Sequence, residues 1–389
     1  MLDRRSFVRT SSLCSGVILV GMEHPGLLTA SLAAAQESTA IGKLLGELEF
    51  LNEGRPEMDS AFGSELDGRL YTSLAGLSNE SLVTPVDRFY VRTRASQILP
   101  KPESWTISLD GLVAAPRKLK IDDLRSAAKP LGLHLMECAG NTRAAHFGMI
   151  SAGEWAGVPI SEILTQARAK SSATQVLVSG FDRYVTSSVT STPGASWIFP
   201  LTELGKSGAF LATQLNSLPL TRDHGAPVRL VVPNWYGCAC IKWVDQISFL
   251  DNSAAPTSQM FEYATRTHQL GSPSLAKDFL PAHIEHAAMP IRVEKWLINE
   301  KLKYHVVGIL WGGSGSIQSL GIRFNPEDDF VPVDSLPSPQ TAPWTIWSHA
   351  WTPKAPGRYT IRVALLNPEL HPKRLDSGYY ARSVEIFDV

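Results

Sequence analysis

Cysteine is scarce in this 389-residue chain: Cys14, Cys138, Cys238 and Cys240 are all there is. The spacing Cys238-Ala239-Cys240 is too tight for an ordinary disulfide, so a disulfide scaffold is excluded and at least one thiol beyond residue 35 stays free. Cys-x-x-Cys-His is absent, which excludes covalently attached haem. His-Glu-x-x-His and a glycine-rich loop ending in Gly-Lys-Ser/Thr are missing too, which removes a zinc hydrolase and a phosphate-loop nucleotide enzyme. Neither sign of charge dominates. With a net charge of −1 and no Lys/Arg run in the body of the chain, nucleic acid and anionic membrane surfaces are poor partners. Long hydrophobic runs are also lacking: Cys14 to Met22 is broken by Glu23, His24 and Pro25, and a bilayer takes about 20 residues to cross. Stable membrane insertion is therefore not expected.

What is present is a 44% apolar composition over a length that favours two domains with real cores. The chain opens with Arg4-Arg5 before the apolar stretch, and Ala33-Ala34-Ala35 supplies small residues for cleavage before Gln36. Residues 1–35 read as a twin-arginine export signal, which places the mature protein, folded before transport, in the periplasm. Its removal takes away Arg4, Arg5, Arg9, Asp3 and Glu23 and leaves a net charge of −2.

Residues 36–83 read as an N-terminal arm on the main domain, with Ile41, Leu44, Leu45 and Leu48 at helical spacing. The run Phe89 to Arg94 puts Arg92 and Arg94 on one face of a strand end, which suits an anion. Helices are expected at Ile121–Ala127 and from Ile160, which follows Pro159, and a strand at Gln175–Gly180 leads to Asp182. His224, Arg229 and Lys242 project from loop ends around the β-branched run Leu230-Val231-Val232, a way to build a pocket for an anionic cofactor. After residue 250 the chain turns loop-like, with one short helix near Gln259 to Arg266. Beyond about residue 286 the alternation becomes all-β, with Trp344, Trp347 and Trp351 as inter-sheet core of a β-sandwich.

The stretch that concentrates chemistry is Met136-Glu137-Cys138-Ala139-Gly140-Asn141-Thr142-Arg143, after the apolar run Leu131–Met136. A lone thiol on a glycine turn at a strand end, between a carboxylate and an arginine, suits a metal ligand; a buried core cysteine is the competing reading.

Four segments, Phe89-Tyr90-Val91-Arg92, Cys138-Ala139-Gly140-Asn141-x-Arg143, Arg222-Asp223-His224-Gly225-x-Pro227-Val228-Arg229 and Tyr236-Gly237-x-x-x-Ile241-Lys242-Trp243, resemble, in order, the sulfite oxidase family of molybdenum enzymes. The resemblance spans residues 84–389. It implies an α+β fold: a mixed molybdopterin-binding domain over 84–285, followed by an immunoglobulin-like dimerisation domain over 286–389 that pairs two chains. It implies a molybdenum-molybdopterin cofactor with Cys138 as the thiolate on the metal. Tyr90, Val91, Arg92, Thr93, Arg94, Asp182, His224, Arg229, Cys240, Ile241 and Lys242 would hold the pterin, and Arg92 and Arg143 would line the pocket of a small anionic sulfur substrate. Electrons would leave to an external carrier such as a c-type cytochrome. The chain departs from the family at Thr93-Arg94, at Ala145-His146-Phe147, and at Ser191-Thr192-Pro193-Gly194, where an active-site tyrosine is expected and none stands.

The leading expectation is a periplasmic oxidoreductase that transfers an oxygen atom to sulfite or a related sulfur oxyanion. A molybdopterin-dependent reductase of S- or N-oxides, which the missing tyrosine favours, and a non-catalytic binding module with a degenerate cofactor domain are the alternatives. Cys240 would lie against the pterin, with Cys238 as a small core residue.

Overall fold

Why the apolar run before Cys138 forms a strand is plain from its neighbours in space. Lys129–Glu137 pairs antiparallel with Ile150–Pro159, Met136 opposite Ser151 and Glu137 opposite Ile150, and its last two residues are buried. The computed structural model describes residues 42–60, 62–64, 67–94, 101–181, 195–338, 340 and 342–389. The export signal, Asp182 and Ser191–Gly194 lie outside them, as does the side chain of Arg94.

Lys43–Val389 forms one compact unit. Its first half is built on two five-stranded sheets and a small three-stranded one. One sheet runs Ser196–Pro200, Gln175–Gly180, Val244–Leu250, Thr106–Gly111, Arg117–Lys120, with Val244–Leu250 and Thr106–Gly111 parallel and the other pairs antiparallel. The other runs Leu218–Pro219, Phe210–Leu215, Ile150–Pro159, Lys129–Glu137, with Arg229–Val231 also on Phe210–Leu215. Val91–Arg94 pairs with Asp67–Leu70 in the three-stranded sheet. The expected helices are in place: Ile121–Ala127, which buries Ile121 and Leu124, and Ile160–Ala167, which follows Pro159 and buries Ile160, Ile163 and Ala167. Helices are short and sit between strands, so the half is mixed, with β predominating.

From Ala287 onward the chain forms two four-stranded sheets. One runs Lys43–Glu47, Ala287–Ile298, Lys301–Trp311, Trp344–Trp351, and the other Val331–Pro332, Leu320–Arg323, Gly357–Leu365, Arg382–Ile386. Aromatic rings join them: Trp351 stacks on Phe324 at 4.2 Å and meets Tyr359 edge-on at 4.9 Å. Trp344 and Trp347 are fully buried, as expected of inter-sheet core. Gly308 lies opposite Trp347 in the sheet, and a Cβ there would stand 2.0 Å from the indole, so only glycine lets that ring lie across the strand.

One expectation is corrected here. The segment with helical spacing is the strand Lys43–Glu47, all five residues exposed, and it extends the C-terminal sheet rather than packing on the cofactor-binding half. A helix this short pays the nucleation cost without recovering it in packing, and Gly46 sits at φ +151°, outside helical space. Edge pairing with Ala287–Ile298 satisfies the same backbone groups at once.

Candidate functional site

Cys138 is the first residue past the strand end, and its loop is fixed from both sides. Its N–H donates to Met149 O (2.9 Å), its carbonyl accepts from Asn141 N (2.9 Å), and the fully buried Asn141 side chain accepts from Met149 N (3.0 Å). The thiol is free and half-buried. Burial pushes it up from its ordinary pKa; the backbone at Gly140 and the guanidinium groups of Arg92 and Arg266 pull it down, and Glu137 pushes it up again. A Cβ on Gly140 would stand 3.5 Å from Arg266 Nη1 and 3.8 Å from Cys138 Sγ, so those two groups flank the turn.

Arg266, which the sequence reading gave only as the end of a short helix, stands on the 3₁₀ turn Thr265–Thr267. Arg143, which the motif assigned to the same pocket, is exposed and its guanidinium donates to Ala381 O (2.6 Å) in the C-terminal half. It stands on the 3₁₀ turn Arg143–Ala145, closed by the left-handed residues His146 and Phe147.

Tyr263 is a further residue of these surroundings that the sequence reading did not single out. Tyr263, just past the short helix Ser258–Glu262, is held above its ordinary pKa by burial and then by Cys138, Cys238 and Glu262, with Arg92 opposing. Arg266 stacks on its ring at 5.4 Å. Only hydrophobic spacing was available to find this segment, and spacing says nothing of which side chains turn toward a distant cysteine.

Arg374, from the C-terminal half, is a second unforeseen member. It donates to Ala139 O (2.7 Å) and Arg266 O (2.9 Å), lies over the Tyr236 ring at 4.7 Å, and comes within 4.0 Å of Glu137. Glu137 is completely buried and accepts from Trp311 Nε1 (2.9 Å), Asn141 Nδ2 (3.4 Å) and Tyr380 OH (3.5 Å). Burial raises its pKa; Arg374 and these donors pull it back. A buried carboxylate with so many donors ties the thiol's loop to the C-terminal sheets.

The predicted cofactor contacts form a second cluster. His224 Nε2 meets Phe89 O at 2.9 Å, and since a carbonyl only accepts, the neutral ring carries its proton there and Nδ1 accepts from Thr221 (2.7 Å). Burial drops this histidine to about 4. Buried Arg229 donates to His224 O (3.0 Å) and Cys240 O (3.2 Å), and Lys242 Nζ donates to Arg92 O and Asp223 O, both at 3.1 Å. Tyr90 is anchored by Ser151 Oγ (2.9 Å), and burial, then Cys138, keeps its phenol above the ordinary range. Gly225 sits at φ +107° with Arg229 and Lys242 within 3.2 Å of its missing Cβ, so the motif's glycine is what lets both cations converge. Val91 and Ile241 are buried beside them. Cys240 and Cys238 are both buried; the Cys240 sulfur accepts from Val232 N at 3.4 Å, and burial, then Cys138, pushes the Cys238 thiol up.

This cluster fits a polar, anionic group. Thr93 Oγ1, Asp223 Oδ1 and Arg229 Nε are buried without a hydrogen-bond partner, and Arg229 has no carboxylate among its hydrogen-bond partners. Buried donors and acceptors left open on neighbouring motif segments are what a pterin with its phosphate would fill. Among the described residues no group of three or more His, Cys, Asp or Glu could hold a metal ion, so the protein offers a metal one thiolate rather than a cage.

Comparison with known proteins agrees. The profile of the oxidoreductase molybdopterin binding domain matches residues 95–258. Sulfite oxidase of Arabidopsis thaliana is 30% identical over 218 residues, 51% of this chain and 54% of that one. Mitochondrial sulfite oxidase of Rattus norvegicus is 30% identical over 189 residues, 44% and 34% of the two chains. The NADPH nitrate reductase of Fusarium oxysporum is 28% identical over 193 residues, 45% and 21%. The chain thus spans about half or less of the length of these relatives. The crystal structure of the sulfane dehydrogenase SoxCD from Paracoccus pantotrophus shares the fold, with a TM-score of 0.61 at 18% identity over 82% of this chain and 80% of that one. With a lone thiolate at a strand end, open buried donors on the pterin-binding motifs and these matches, the chain carries an oxidoreductase molybdopterin-binding domain similar to that of the sulfite oxidases, and its cofactor is molybdenum-molybdopterin.

Proposed function

We propose that this chain oxidises sulfite or a related sulfur oxyanion by oxygen-atom transfer. The observation that carries the reading is the half-buried Cys138 thiol facing a wall of cations, Arg92 and Arg266 beside it and Arg374 on its turn.

When bound, the cofactor supplies two-electron oxygen-atom exchange. The protein's part is positioning and charge. Cys138 would bind as thiolate; burial pushes its pKa up, and the backbone at Gly140, Arg92 and Arg266 offset part of that rise. Arg92 and Arg266 would also offset the charge of an incoming oxyanion and fix its orientation, worth most where water is excluded. Tyr263, kept neutral by burial, can donate a hydrogen bond at the same place. Tyr90 to Arg94, Asp182, His224, Arg229, Ile241 and Lys242 would hold the pterin. Arg143 would act at the rim, on the C-terminal half, rather than on the substrate.

The finer features belong to the same proposal. Arg4-Arg5, the apolar stretch after it and Ala33–Ala35 support export to the periplasm, and among the described residues no helix is long and apolar enough to cross a membrane. The absence of a haem motif makes an external c-type cytochrome the acceptor. The two packed C-terminal sheets support an immunoglobulin-like module through which two chains pair.

A reductase of S- or N-oxides is the second reading, favoured by the likeness to nitrate reductase and by the absence of a tyrosine at Ser191–Gly194. Molybdenum content, followed by turnover of sulfite with cytochrome c against turnover of a sulfoxide with a viologen donor, separates them. Stoichiometric molybdenum and sulfite-dependent cytochrome reduction are expected. Sulfoxide reduction without sulfite oxidation would reverse the direction, and protein without molybdenum would remove both readings.

A further inference from the structure

The described residues hold three cysteines, Cys138, Cys238 and Cys240, and all are free thiols. The turns that carry the first two pack backbone to backbone. A Cβ on Gly237 would stand 3.2 Å from Glu137 O and 3.7 Å from Glu137 C, so the chain entering Cys238 lies against the chain entering Cys138. Electrostatics agrees: after burial, Cys138 is the group that most raises the Cys238 thiol, and both cysteines raise the Tyr263 phenol.

Cys240 is committed elsewhere. Its sulfur accepts from Val232 N (3.4 Å) and donates to Val232 O (3.8 Å), and the single residue between it and Cys238 is too short a link for an ordinary disulfide. Cys238 stands on the 3₁₀ turn Gly237–Ala239, and its carbonyl accepts from Gln259 Nε2 at 2.5 Å, which ties that turn to the helix Ser258–Glu262. Cys138 is the half-buried member of the pair and Cys238 the buried one, so a reagent from solution meets Cys138 first.

We propose that Cys238 is a redox lock on the metal-binding thiol: in protein without cofactor it closes a disulfide with Cys138, and reduction reopens the site to molybdopterin. The oxidant is the disulfide of a small thiol. Cys138, as thiolate, attacks one of its sulfurs and displaces a first thiol; Cys238 then attacks the Cys138 sulfur of the mixed disulfide and displaces the second. Two electrons and the two thiol protons pass to the oxidant, which leaves as two thiols. With the cofactor in place the Cys138 sulfur is taken up as a ligand, and the exchange is closed to it. The lock rests on the reading of Cys138 as that ligand; the disulfide does not.

The test uses the full chain made with and without molybdopterin, each preparation first shown to unfold cooperatively, then exposed to oxidised glutathione, alkylated in denaturant and mapped by mass spectrometry. Cofactor-free protein is expected to give the Cys138–Cys238 linked peptide alone, and loaded protein no link. Cys238→Ala should stop at the mixed disulfide, with glutathione on Cys138. No link in the cofactor-free protein, or a mixture of links that includes Cys240, overturns the pairing. Uptake of molybdopterin, read as pterin fluorescence after denaturation, should fall about tenfold once about nine-tenths of the cofactor-free protein is linked, because only the reduced fraction is competent, and dithiothreitol should restore it. Uptake unaffected by oxidation, or the same link in loaded protein, overturns the lock. Sulfite turnover by the loaded protein is read separately: its absence removes the oxidation chemistry and leaves the lock standing, whereas turnover by a protein that forms no link does the reverse.

Discussion

Arg374 donates to the carbonyl of Ala139 at 2.7 Å, so a side chain 235 residues away grips the turn that presents Cys138. The same guanidinium also faces Glu137, the residue on the other side of the thiol. The catalytic end of the first half is therefore shaped by the second.

Replacing Arg374 with Met should keep the packing against Tyr236 and Tyr379 and lose the polar grip. It strips the buried Glu137 of its cation, a change of the kind that costs about 3 kcal/mol. Urea denaturation should show that loss, with substrate KM rising as well. Unchanged stability would mean that Trp311, Asn141 and Tyr380 hold Glu137 unaided.

Cys138→Ser should leave stability within about 1 kcal/mol, since the thiol is half-buried and serine is nearly isosteric. Turnover should fall by more than about a hundredfold because a hydroxyl is a poor stand-in for a soft thiolate ligand. Steady-state assays alongside thermal unfolding decide it. Retained activity would remove the thiolate from the chemistry.

Gly237→Ala should disturb the pterin side rather than the thiol. A Cβ there would stand 2.7 Å from the Tyr90 hydroxyl and 3.2 Å from Glu137 O, so the Tyr90 ring must move. Reduced cofactor content in purified protein, measured by molybdenum analysis and pterin fluorescence, is the expected result.

Stability should depend on pH through His224. Its folded pKa of about 4 lies below the ordinary 6.5, so the unfolded chain takes up a proton that the folded chain refuses. Stability is full above pH 6.5 and falls by about 1.4 kcal/mol per unit as pH drops toward 4, a total of about 3 kcal/mol. Denaturation at pH 7.5, 5.5 and 4.5 should show this slope in the unaltered protein and a shallower one in His224→Gln.

Glu53 and Arg382 form a pair with side chains 1% and 3% exposed, bonded at 2.7 and 2.5 Å, and Arg382 also lies over Phe50 at 3.6 Å. Glu53→Gln should cost about 3–5 kcal/mol by leaving a buried guanidinium uncompensated. A double change to Leu and Met should recover much of that, as read by denaturant midpoints.

These residues show what could and could not be read from the chain alone. Strands and helices with strong periodicity, such as Ile160–Ala167 and Gly357–Leu365, were legible because the burial that stabilises them is written in their spacing. The Lys43–Glu47 strand was not, because its stability comes from a partner 250 residues on. In the site, the Cys138 turn and the His224 and Arg229 cluster were legible as short local patterns. Arg266, Tyr263 and Arg374 were not: each comes to the thiol's surroundings or its turn from far along the chain, and no local pattern encodes that. Arg143 shows the converse, since its place in a motif fixed its position in the sequence but not the direction of its side chain.

The pairing of Lys43–Glu47 with Ala287–Ile298, extended by Leu51 bridging to Ser383 and Glu53 bonding to Arg382, joins early residues to residues made much later. At ~5–20 residues per second, the early segment must wait on the order of tens of seconds for its partners to leave the ribosome. Closure of that sheet edge is a late event with high contact order, and until it happens a two-leucine strand edge, Leu44-Leu45, stands open to the wrong neighbours.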